Sequence, residues 1–428
     1  MTIWNKLSDN ILYIFAVSMT LSIFQFHRIQ LSLLLLILYM VIVRIDEFKA
    51  KLTRGNCVFI ALGCLSIIST CLCLTSNMGN TWKLSGVFNE GLFVILVVFK
   101  LFYSEYVSTN KIDIIIKGLK LGCLLNFAWC YVQLAFYNIA GIDINDLIFH
   151  QTLNLMEVAS ARRDGIKLCL SGFGWHPAQL VPIIVLSFFL FDSFFIRLLI
   201  LGACVFSNNS TCLVAGVICI VGSIIIELIN GKGKISARRI LNEVLLLLFV
   251  FIATLIKNDF LFEITDKFAI LCDRIGQVFQ AGDIKDNSTF LHARYYTFYP
   301  TIFEKQNIIE KLFGLGYECS GYPYSIELEQ YTSLNDWIPE TDYINFIIGR
   351  GWIWTLVFYA WMVINFIKAR KISAYYFLYM LIIVACGVMY NNQFWWVIIA
   401  EIIMIEATKN NKNIFDTPLS EKISLAGL

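Results

Sequence analysis

The sequence is poor in charged residues. Only 15% of its 428 residues are Asp, Glu, Lys or Arg, and 58% are hydrophobic, whereas a soluble domain carries about 25% charged residues. A net charge of +2 excludes the broad basic field that attracts nucleic acid, so no nucleic-acid partner is expected. Internal repeats and low-complexity segments are missing as well. No cleavable signal peptide is predicted, because no small-x-small site lies between the first and second apolar runs.

Metal-binding cysteine motifs are also missing. The chain has 13 cysteines but no paired CxxC, so neither a zinc site nor any other metal or cofactor is predicted. Most cysteines, Cys73 among them, lie in apolar runs and are interpreted as small buried side chains. Cys169, Cys272 and Cys319 lie in polar loops, where a disulfide bond among them is left open.

Long apolar runs are abundant, and with so few charges they indicate a protein that folds in a lipid bilayer. A membrane-spanning helix needs roughly 17–25 residues, and about twelve such runs are present, some of them short. The chain is therefore predicted to be an all-α, polytopic membrane protein in contact with membrane lipid. The predicted spans are Asn10–Phe26, Leu31–Val43, Val58–Thr75, Gly91–Tyr103, Leu119–Ile139, Pro177–Phe191, Phe195–Phe206, Cys212–Ile229, Ile240–Ile256, Tyr343–Phe366, Ala374–Tyr390 and Phe394–Ala407.

Lys and Arg concentrate in alternate short loops, which places those loops and both termini in the cytoplasm. Two long loops then face outward, and the chain divides into 1–139 (spans one to five), 140–176 (first outer loop), 177–256 (spans six to nine), 257–342 (second outer loop) and 343–428 (spans ten to twelve and a tail). Long outer loops favour binding or chemistry at the outer face. The positive loops carry Arg44, Lys49, Lys51 and Arg54, then Lys111, Lys117 and Lys120, then Lys232, Lys234, Arg238 and Arg239, then Lys368, Arg370 and Lys371.

Two adjacent arginines in the first outer loop, Arg162 and Arg163, suit an anionic ligand. A guanidinium is planar and always charged and can bind phosphate with two hydrogen bonds. Alternatively, the pair contacts lipid headgroups or forms ion pairs with Asp164 and Glu157.

Two further polar residues on the outer side are candidates for substrate binding. His176 precedes Pro177 and is interpreted as a proton carrier or second phosphate contact, or alternatively as an interface histidine that caps the sixth span. Asn209 lies in the polar turn Ser207–Thr211, where its alternative role is to cap the eighth helix.

The second outer loop contains Arg294, flanked by His292 and Tyr295, which are assigned to substrate binding. Apolar residues at helical spacing follow, and Gly314–Gly316 is predicted to end that helix, which lies on the membrane surface or against the spans. The alternative for Arg294 is a surface ion pair.

Carboxylates stand where the tenth span enters the membrane. Glu340 or Asp342 could accept a proton from a sugar hydroxyl if partial burial tunes its acidity; alternatively they only favour a helix N-terminus. Arg350 lies inside the span, where an ionisable residue indicates function, and it is predicted to bind substrate or to pair with Glu90 or Glu401.

These segments together resemble the O-antigen polymerase and O-antigen ligase superfamily of bacterial envelope proteins. The segment Gly172–Leu180 (GFGWHPAQL) is similar to the family's glycine–aromatic segment before a span. Arg294, the apolar helix and Gly314–Gly316 (GLG) are similar to its arginine, aromatic helix and Phe-Gly-x-Gly. Glu340–Tyr343, followed by Ile347–Gly351 (IIGRG), is similar to the segment that opens its next span.

One spacing and two departures refine the resemblance. Arg163 and Gly174 fit an Arg-x10-Gly spacing described for polymerases. The arginine usual in the turn after the seventh span is missing, and Asn208 and Asn209 stand there instead. The His-Asn pair of many ligases is replaced by Thr341–Asp342, which favours a polymerase.

The resemblance implies an all-α fold of the GT-C type in the bacterial inner membrane, with a large periplasmic loop. It implies a metal-independent, inverting glycosyltransferase whose donor is an oligosaccharide on undecaprenyl diphosphate, and it implies a chain-length regulator protein as a partner. Arg163 and Arg294 would stabilise the leaving diphosphate, and Asp342 or Glu340 would act as base. The alternatives are a ligase that transfers glycan to lipid A-core, a flippase or transporter, and a structural or receptor membrane protein.

Overall fold

The structure is a computed structural model of the chain. It describes residues 3–26, 29–42, 54–76, 83–84, 87, 91, 93–94, 97, 109–155, 168–174, 179–191, 193–207, 210–230, 237–256, 299–316, 319, 321–323 and 342–369.

The regular secondary structure of the described chain is helical apart from one small hairpin, which confirms the all-α prediction. In the hairpin, strands β1 (Gln25–Phe26) and β2 (Ile29–Gln30) pair in antiparallel register. A π-helix covers Asp146–Thr152, and residues 299–305 are also helical. The α-helices are α1 (Ile3–Met19), α2 (Leu31–Ile42), α3 (Arg54–Thr75), α4 (Thr109–Ala140), α5 (Leu180–Leu190), α6 (Phe194–Phe206), α7 (Ser210–Asn230), α8 (Ala237–Ile256), α9 (Ile308–Phe313) and α10 (Asp342–Ala369).

Two helical segments are long and apolar enough to cross a membrane, Cys57–Thr75 in α3 and Asp113–Ala140 in α4. Shorter apolar helices are Phe194–Phe206, Cys212–Ile225 and Ile240–Ala253. Large apolar side chains on the surface of the helical layer are more than half exposed, such as those of Val41, Phe251 and Leu356. The total of about twelve spans stays a prediction. Only two described segments are long and apolar enough for a span, spans eleven and twelve lie outside the described residues, and only residues 91, 93–94 and 97 of span four are described.

Helix α4 is longer than the apolar run that predicted it. It begins at Thr109 rather than at Leu119, so Lys111 and Lys117 belong to its first turns and not to a loop. Lysine is a good helix former, and its long side chain can project from a helix end, so the helix continues beyond the apolar segment.

The relative directions of two helix pairs agree with the predicted alternate crossings. Helices α1 and α4 run parallel, since Gly118 lies against Ala16 and Gly122 lies against Thr20. Both helices are predicted to run outward. A Cβ atom at Gly118 would lie 2.6 Å from the Ala16 Cβ, so glycine permits the close approach, as in small-residue interfaces between membrane helices.

Helices α3 and α10 run antiparallel, again as predicted for an outward and an inward crossing. The Ser69 hydroxyl donates to the Gly349 carbonyl over 2.8 Å. Further along, the rings of Phe59 and Trp361 meet edge to face with centroids 4.9 Å apart. Because the residue number rises on one helix as it falls on the other, the chain directions are opposite.

A buried ion pair joins α6 to α8. The Arg197 Nη1 donates to a carboxylate oxygen of Glu243, and both side chains are about 5% exposed or less. Arg197 also donates from Nε to the Phe191 carbonyl (2.8 Å) and from Nη2 to the Phe188 carbonyl (3.2 Å). The guanidinium therefore holds α8 against α6 and stabilises the connection between α5 and α6.

Candidate functional site

The end of the first outer loop, Ser171–Gly174, lies between α4 and the chain after α1. Three buried amide side chains satisfy its backbone. The Asn126 Oδ1 accepts a hydrogen bond from the Phe173 N–H (2.9 Å), and the Gln133 Oε1 accepts one from the Gly172 N–H (2.9 Å). The Asn145 Nδ2 donates to the Gly172 carbonyl (2.9 Å). We call these three side chains the amide cradle.

The amide cradle holds the loop well inside the helical layer. Asn126 lies roughly 21 Å along α4 from its end at Ala140, at 1.5 Å per residue. Its Nδ2 also donates to the carbonyls of Thr20 (2.8 Å) and Gly122 (3.0 Å), so the loop is tied to α1. Non-helical backbone at membrane depth is tolerated where protein groups satisfy it. The amide cradle meets that condition.

An aromatic cluster covers the loop. Phe173 stacks on Trp129 with centroids 4.8 Å apart, and it also contacts Phe24 and Phe149. The Trp129 Nε1 donates to the Asn145 Oδ1 over 2.6 Å, which connects the cluster to the amide cradle. The aromatic residue of the glycine–aromatic motif is thus an anchor that holds the loop in position.

The turn after α6 meets the same loop. The Leu170 N–H donates to the Ser207 carbonyl over 3.0 Å, and Ser207 is fully buried. Its hydroxyl donates to the Cys204 carbonyl (2.7 Å), so it ends α6. The structure therefore brings the first outer loop next to the turn that carries Asn209, although Asn209 itself lies outside the described residues.

Sequence patterns alone missed a histidine–carboxylate pair on the π-helix. The His150 Nδ1 lies 2.9 Å from the Asp146 Oδ1, and Gln151 donates to the other carboxylate oxygen (2.6 Å). The His150 side chain is 42% exposed. A carboxylate that holds one ring nitrogen fixes the tautomer and the orientation of the ring, which suits proton transfer. An ordinary ion pair on a helix surface has the same i, i+4 spacing. The Asp-x-x-x-His spacing is the signal that could have found it.

A second non-helical segment, Gly314–Gly316, packs against a break in α10. Helix α10 is interrupted at Gly351, whose φ is 82°. Such a break leaves helical carbonyls to be satisfied elsewhere. The Leu315 N–H donates to the Ile348 carbonyl (3.0 Å), and the Gly316 N–H and the Ser69 hydroxyl donate to the Gly349 carbonyl (2.7 and 2.8 Å). The predicted tenth span, Tyr343–Phe366, is thus interrupted and not one continuous helix.

The predicted helix before Gly314 is present but is divided in two. Residues 299–305 are helical, and α9 restarts at Ile308 with a capping box between Asn307 and Glu310. Gly314 ends α9 as predicted, with a φ of 80°. Helix α9 packs against α10 and α3, as the alternative of a helix against the spans predicts, while Ile308 and Ile309 stay more than half exposed.

Arg350 lies next to the break and is 1% exposed. Its guanidinium carbon is 4.4 Å from the ring centroids of Phe93 and Trp354 and 6.0 Å from that of Phe346. Aromatic faces attract a cation, so these rings stabilise the buried charge. The predicted partners Glu90 and Glu401 lie outside the described residues, and substrate binding by Arg350 stays a prediction.

Asp342 is the first residue of α10, at the helix end where the sequence predicted a catalytic carboxylate. Within the described ranges, no group of three or more His, Cys, Asp or Glu residues is placed to hold a metal ion. The candidates outside those ranges are Arg162, Arg163, His176, Asn209, His292, Arg294, Tyr295 and Glu340.

Comparison of the chain with protein-family models, with curated proteins and with solved structures finds no match.

Asn126→Leu is expected to destabilise the protein by about 1–3 kcal/mol for each buried backbone group left without its hydrogen bond. Its partners are the Phe173 N–H and the carbonyls of Thr20 and Gly122. Asn138→Leu is the matched control, because Asn138 is exposed on the same helix. The apparent unfolding temperature in detergent should fall only for Asn126→Leu. Equal unfolding temperatures for the two variants would contradict the role of the amide cradle.

Proposed function

We propose that this protein is an inner-membrane glycosyltransferase that joins undecaprenyl-diphosphate-linked oligosaccharide repeat units at the periplasmic face, an O-antigen polymerase. One observation carries the proposal. Two of the three motif segments of the resemblance contain non-helical chain, Gly172–Gly174 and Gly314–Gly316, that buried hydrogen bonds hold among apolar helices. Such segments can present loop residues to a lipid-linked donor without a separate soluble domain.

The proposed setting is a multi-pass protein of about twelve spans with both termini in the cytoplasm. Two helical segments long enough to cross a membrane support it. The parallel packing of α1 on α4 and the antiparallel packing of α3 on α10 also agree with it. In this orientation the C-terminal end of α4 and the N-terminal end of α10 open toward the periplasm, where the donor is presented.

The proposed chemistry is a single displacement. A hydroxyl at the non-reducing end of the next lipid-linked repeat unit attacks the anomeric carbon of the donor glycan, and the bond from that carbon to the diphosphate oxygen breaks with inversion. Undecaprenyl diphosphate leaves with a growing negative charge, which Arg163 and Arg294 would stabilise in a low-dielectric pocket. Asp342 or Glu340 would take the hydroxyl proton. The remaining candidates for substrate contact are Arg162, His176, Asn209, His292, Tyr295 and Arg350.

A transporter or flippase is the second candidate, because the broken helix α10 is a feature of many transporters. In those proteins the unwound carbonyls coordinate the coupling ion. Here the carbonyls of Ile348 and Gly349 accept hydrogen bonds from Leu315, Gly316 and Ser69. Protein groups therefore occupy the break, which favours the glycosyltransferase. A ligase that acts on lipid A-core uses the same chemistry and differs only in its acceptor.

Arg163→Ala and Arg294→Ala are each expected to lower chain extension about 10²–10³-fold, the effect of removing one donor that stabilises a developing oxyanion. The lysine variants should keep part of the activity, since they retain the charge but not the planar geometry. The measurement is the lipopolysaccharide ladder of a deletion strain that expresses each variant at equal level. Arg44→Ala, in a loop predicted to be cytoplasmic, is the control. Normal ladders from both alanine variants would contradict the phosphate clamp.

The deletion strain itself separates the alternatives. Loss of a polymerase leaves core glycan that carries a single repeat unit. Loss of a ligase or a flippase removes the antigen from the surface altogether. A banding pattern identical to that of the parent strain would contradict all three functions.

A further inference from the structure

We infer that Cys73 and Cys319 form a disulfide bond in the mature protein. Cys73 lies in the last turn of α3, and Cys319 lies in the turn that follows Gly316. Their Sγ atoms are 3.7 Å apart, although 246 positions separate them in the chain, and both residues are 0% exposed. Two thiols brought together from distant segments are a stronger indication of a bridge than cysteines scattered in apolar helices.

The surrounding chain fixes both sulfurs. The Cys319 N–H donates to the Gly316 carbonyl over 3.0 Å, which holds the turn against α3. A Cβ atom at Gly316 would lie 3.1 Å from the Cys73 Cβ and 3.4 Å from the Cys319 Sγ, so the glycine leaves room for the pair. Bond formation requires each sulfur to move by under about 1 Å, which a small side-chain rotation supplies.

The compartment favours the oxidised form, and this step rests on the proposed membrane orientation. The C-terminal end of α3 and the second outer loop then face the periplasm, where disulfides form and persist. The electron acceptor is the disulfide of a periplasmic thiol–disulfide oxidoreductase. One cysteine thiolate attacks that disulfide, and the second resolves the mixed disulfide. The carrier gains two electrons and two protons as a dithiol while Cys73 and Cys319 lose them.

The bond would fix the chain that satisfies the α10 break. Ser69 lies one turn before Cys73 on α3 and donates to the Gly349 carbonyl, and Gly316 donates to the same carbonyl. A link between Cys73 and Cys319 therefore holds both donors to Gly349 in one unit. Cys319 thus faces a cysteine of an apolar helix, whereas the sequence had left open a bridge with Cys169 or Cys272. Because both sulfurs are buried, the exchange has to occur before α3 and the second outer loop finish packing.

The test uses the full-length protein from its native membranes, blocked with N-ethylmaleimide in denaturant and digested without reductant. Mass spectrometry should recover the Cys73 and Cys319 peptides as one linked species, which reductant separates. In denaturant, a polyethylene-glycol maleimide should label two more thiols after reduction than before. Cys73→Ser and Cys319→Ser should each abolish that difference, whereas Cys123→Ser and Cys130→Ser, which alter buried thiols of α4, should preserve it.

Recovery of Cys73 and Cys319 as separate alkylated peptides, or linked to other cysteines, would overturn the inference. Because the peptides are read from the wild-type protein, a variant that fails to fold does not affect this result. The outcome is also independent of the proposed activity. Separate peptides together with a ladder that depends on Arg163 would contradict only the disulfide, and linked peptides together with an unchanged ladder in the deletion strain would contradict only the polymerase.

Discussion

Gly351→Ala is expected to prevent stable folding around the break in α10. Gly351 has a φ of 82°, and a Cβ atom there would lie 2.3 Å from the Leu312 carbonyl oxygen. This backbone conformation (φ 82°, ψ 168°) is almost exclusive to glycine and alone costs an alanine roughly 1–3 kcal/mol. The overlap is with backbone, so relief requires α9 and α10 to separate and breaks the hydrogen bonds from Leu315 and Gly316. The conformational strain and the lost hydrogen bonds both destabilise the folded protein.

Gly314→Ala should have the same effect from the other side of the contact, because its Cβ would lie 2.3 Å from the Gly349 carbonyl oxygen. Gly141→Ala is the matched control. Gly141 has a φ of 68°, but nothing lies within 4 Å of the added Cβ, so the variant bears the conformational cost without the overlap. The readout is the yield of monodisperse protein in detergent and its unfolding temperature. Gly351→Ala as stable as Gly141→Ala would show that the two backbones do not meet.

Glu243→Ala is expected to destabilise the protein by about 3–5 kcal/mol, because removing one partner leaves the other charge buried without compensation. The Arg197 guanidinium would keep its hydrogen bonds to the carbonyls of Phe188 and Phe191 but lose its counterion. Surface ion pairs contribute about 0–1 kcal/mol, so the size of the loss distinguishes the buried pair from a surface pair. Thermal or denaturant unfolding in detergent measures the difference.

The double variant Arg197→Met, Glu243→Leu is the control for charge. Replacing a buried pair by apolar side chains of similar volume is often neutral or stabilising. The double variant should therefore be more stable than Glu243→Ala, despite having two substitutions. Equal losses for the single and double variants would indicate that packing, and not an uncompensated charge, determines the stability of the α6–α8 contact.

The positions of most helices can be predicted from apolar runs and from glycines that end a helix. The runs place α2, α3 and the later spans close to where the structure has them, and Gly314 ends α9 as its position predicts. The first span is a correction, because α1 covers Ile3–Met19 rather than Asn10–Phe26 and the end of that apolar run forms strand β1 (Gln25–Phe26). The start of α4 differs from its predicted position because an apolar run indicates only the part of a helix that is suited to lipid. Backbone hydrogen bonding, which defines the helix, continues into the polar sequence. Helix ends that extend into polar sequence are therefore underestimated.

Contacts between distant segments could not be predicted in the same way. Asn126 and Gln133 are visible in the sequence as amides within an apolar run, which is a signal for a buried polar role, but their partners lie elsewhere in the chain. The opposition of Gly314 and Gly351 and the meeting of Cys73 with Cys319 likewise depend on which helices pack together. For the candidate site, the sequence identifies residue types that suit binding of a diphosphate. It also predicts that Asp342 stands at the start of the tenth span, and α10 begins at that residue.

The interruption of α10 makes its outer part a short lever. Asp342 lies roughly 13 Å along the helix from Gly351, at 1.5 Å per residue. A rotation of about 5° at the break would displace Asp342 by roughly 1 Å over that length, while Trp361 stays packed on Phe59. An error of that size is enough to impair a reaction that depends on alignment. The alignment of a base at Asp342 would thus depend on the chain around Gly316.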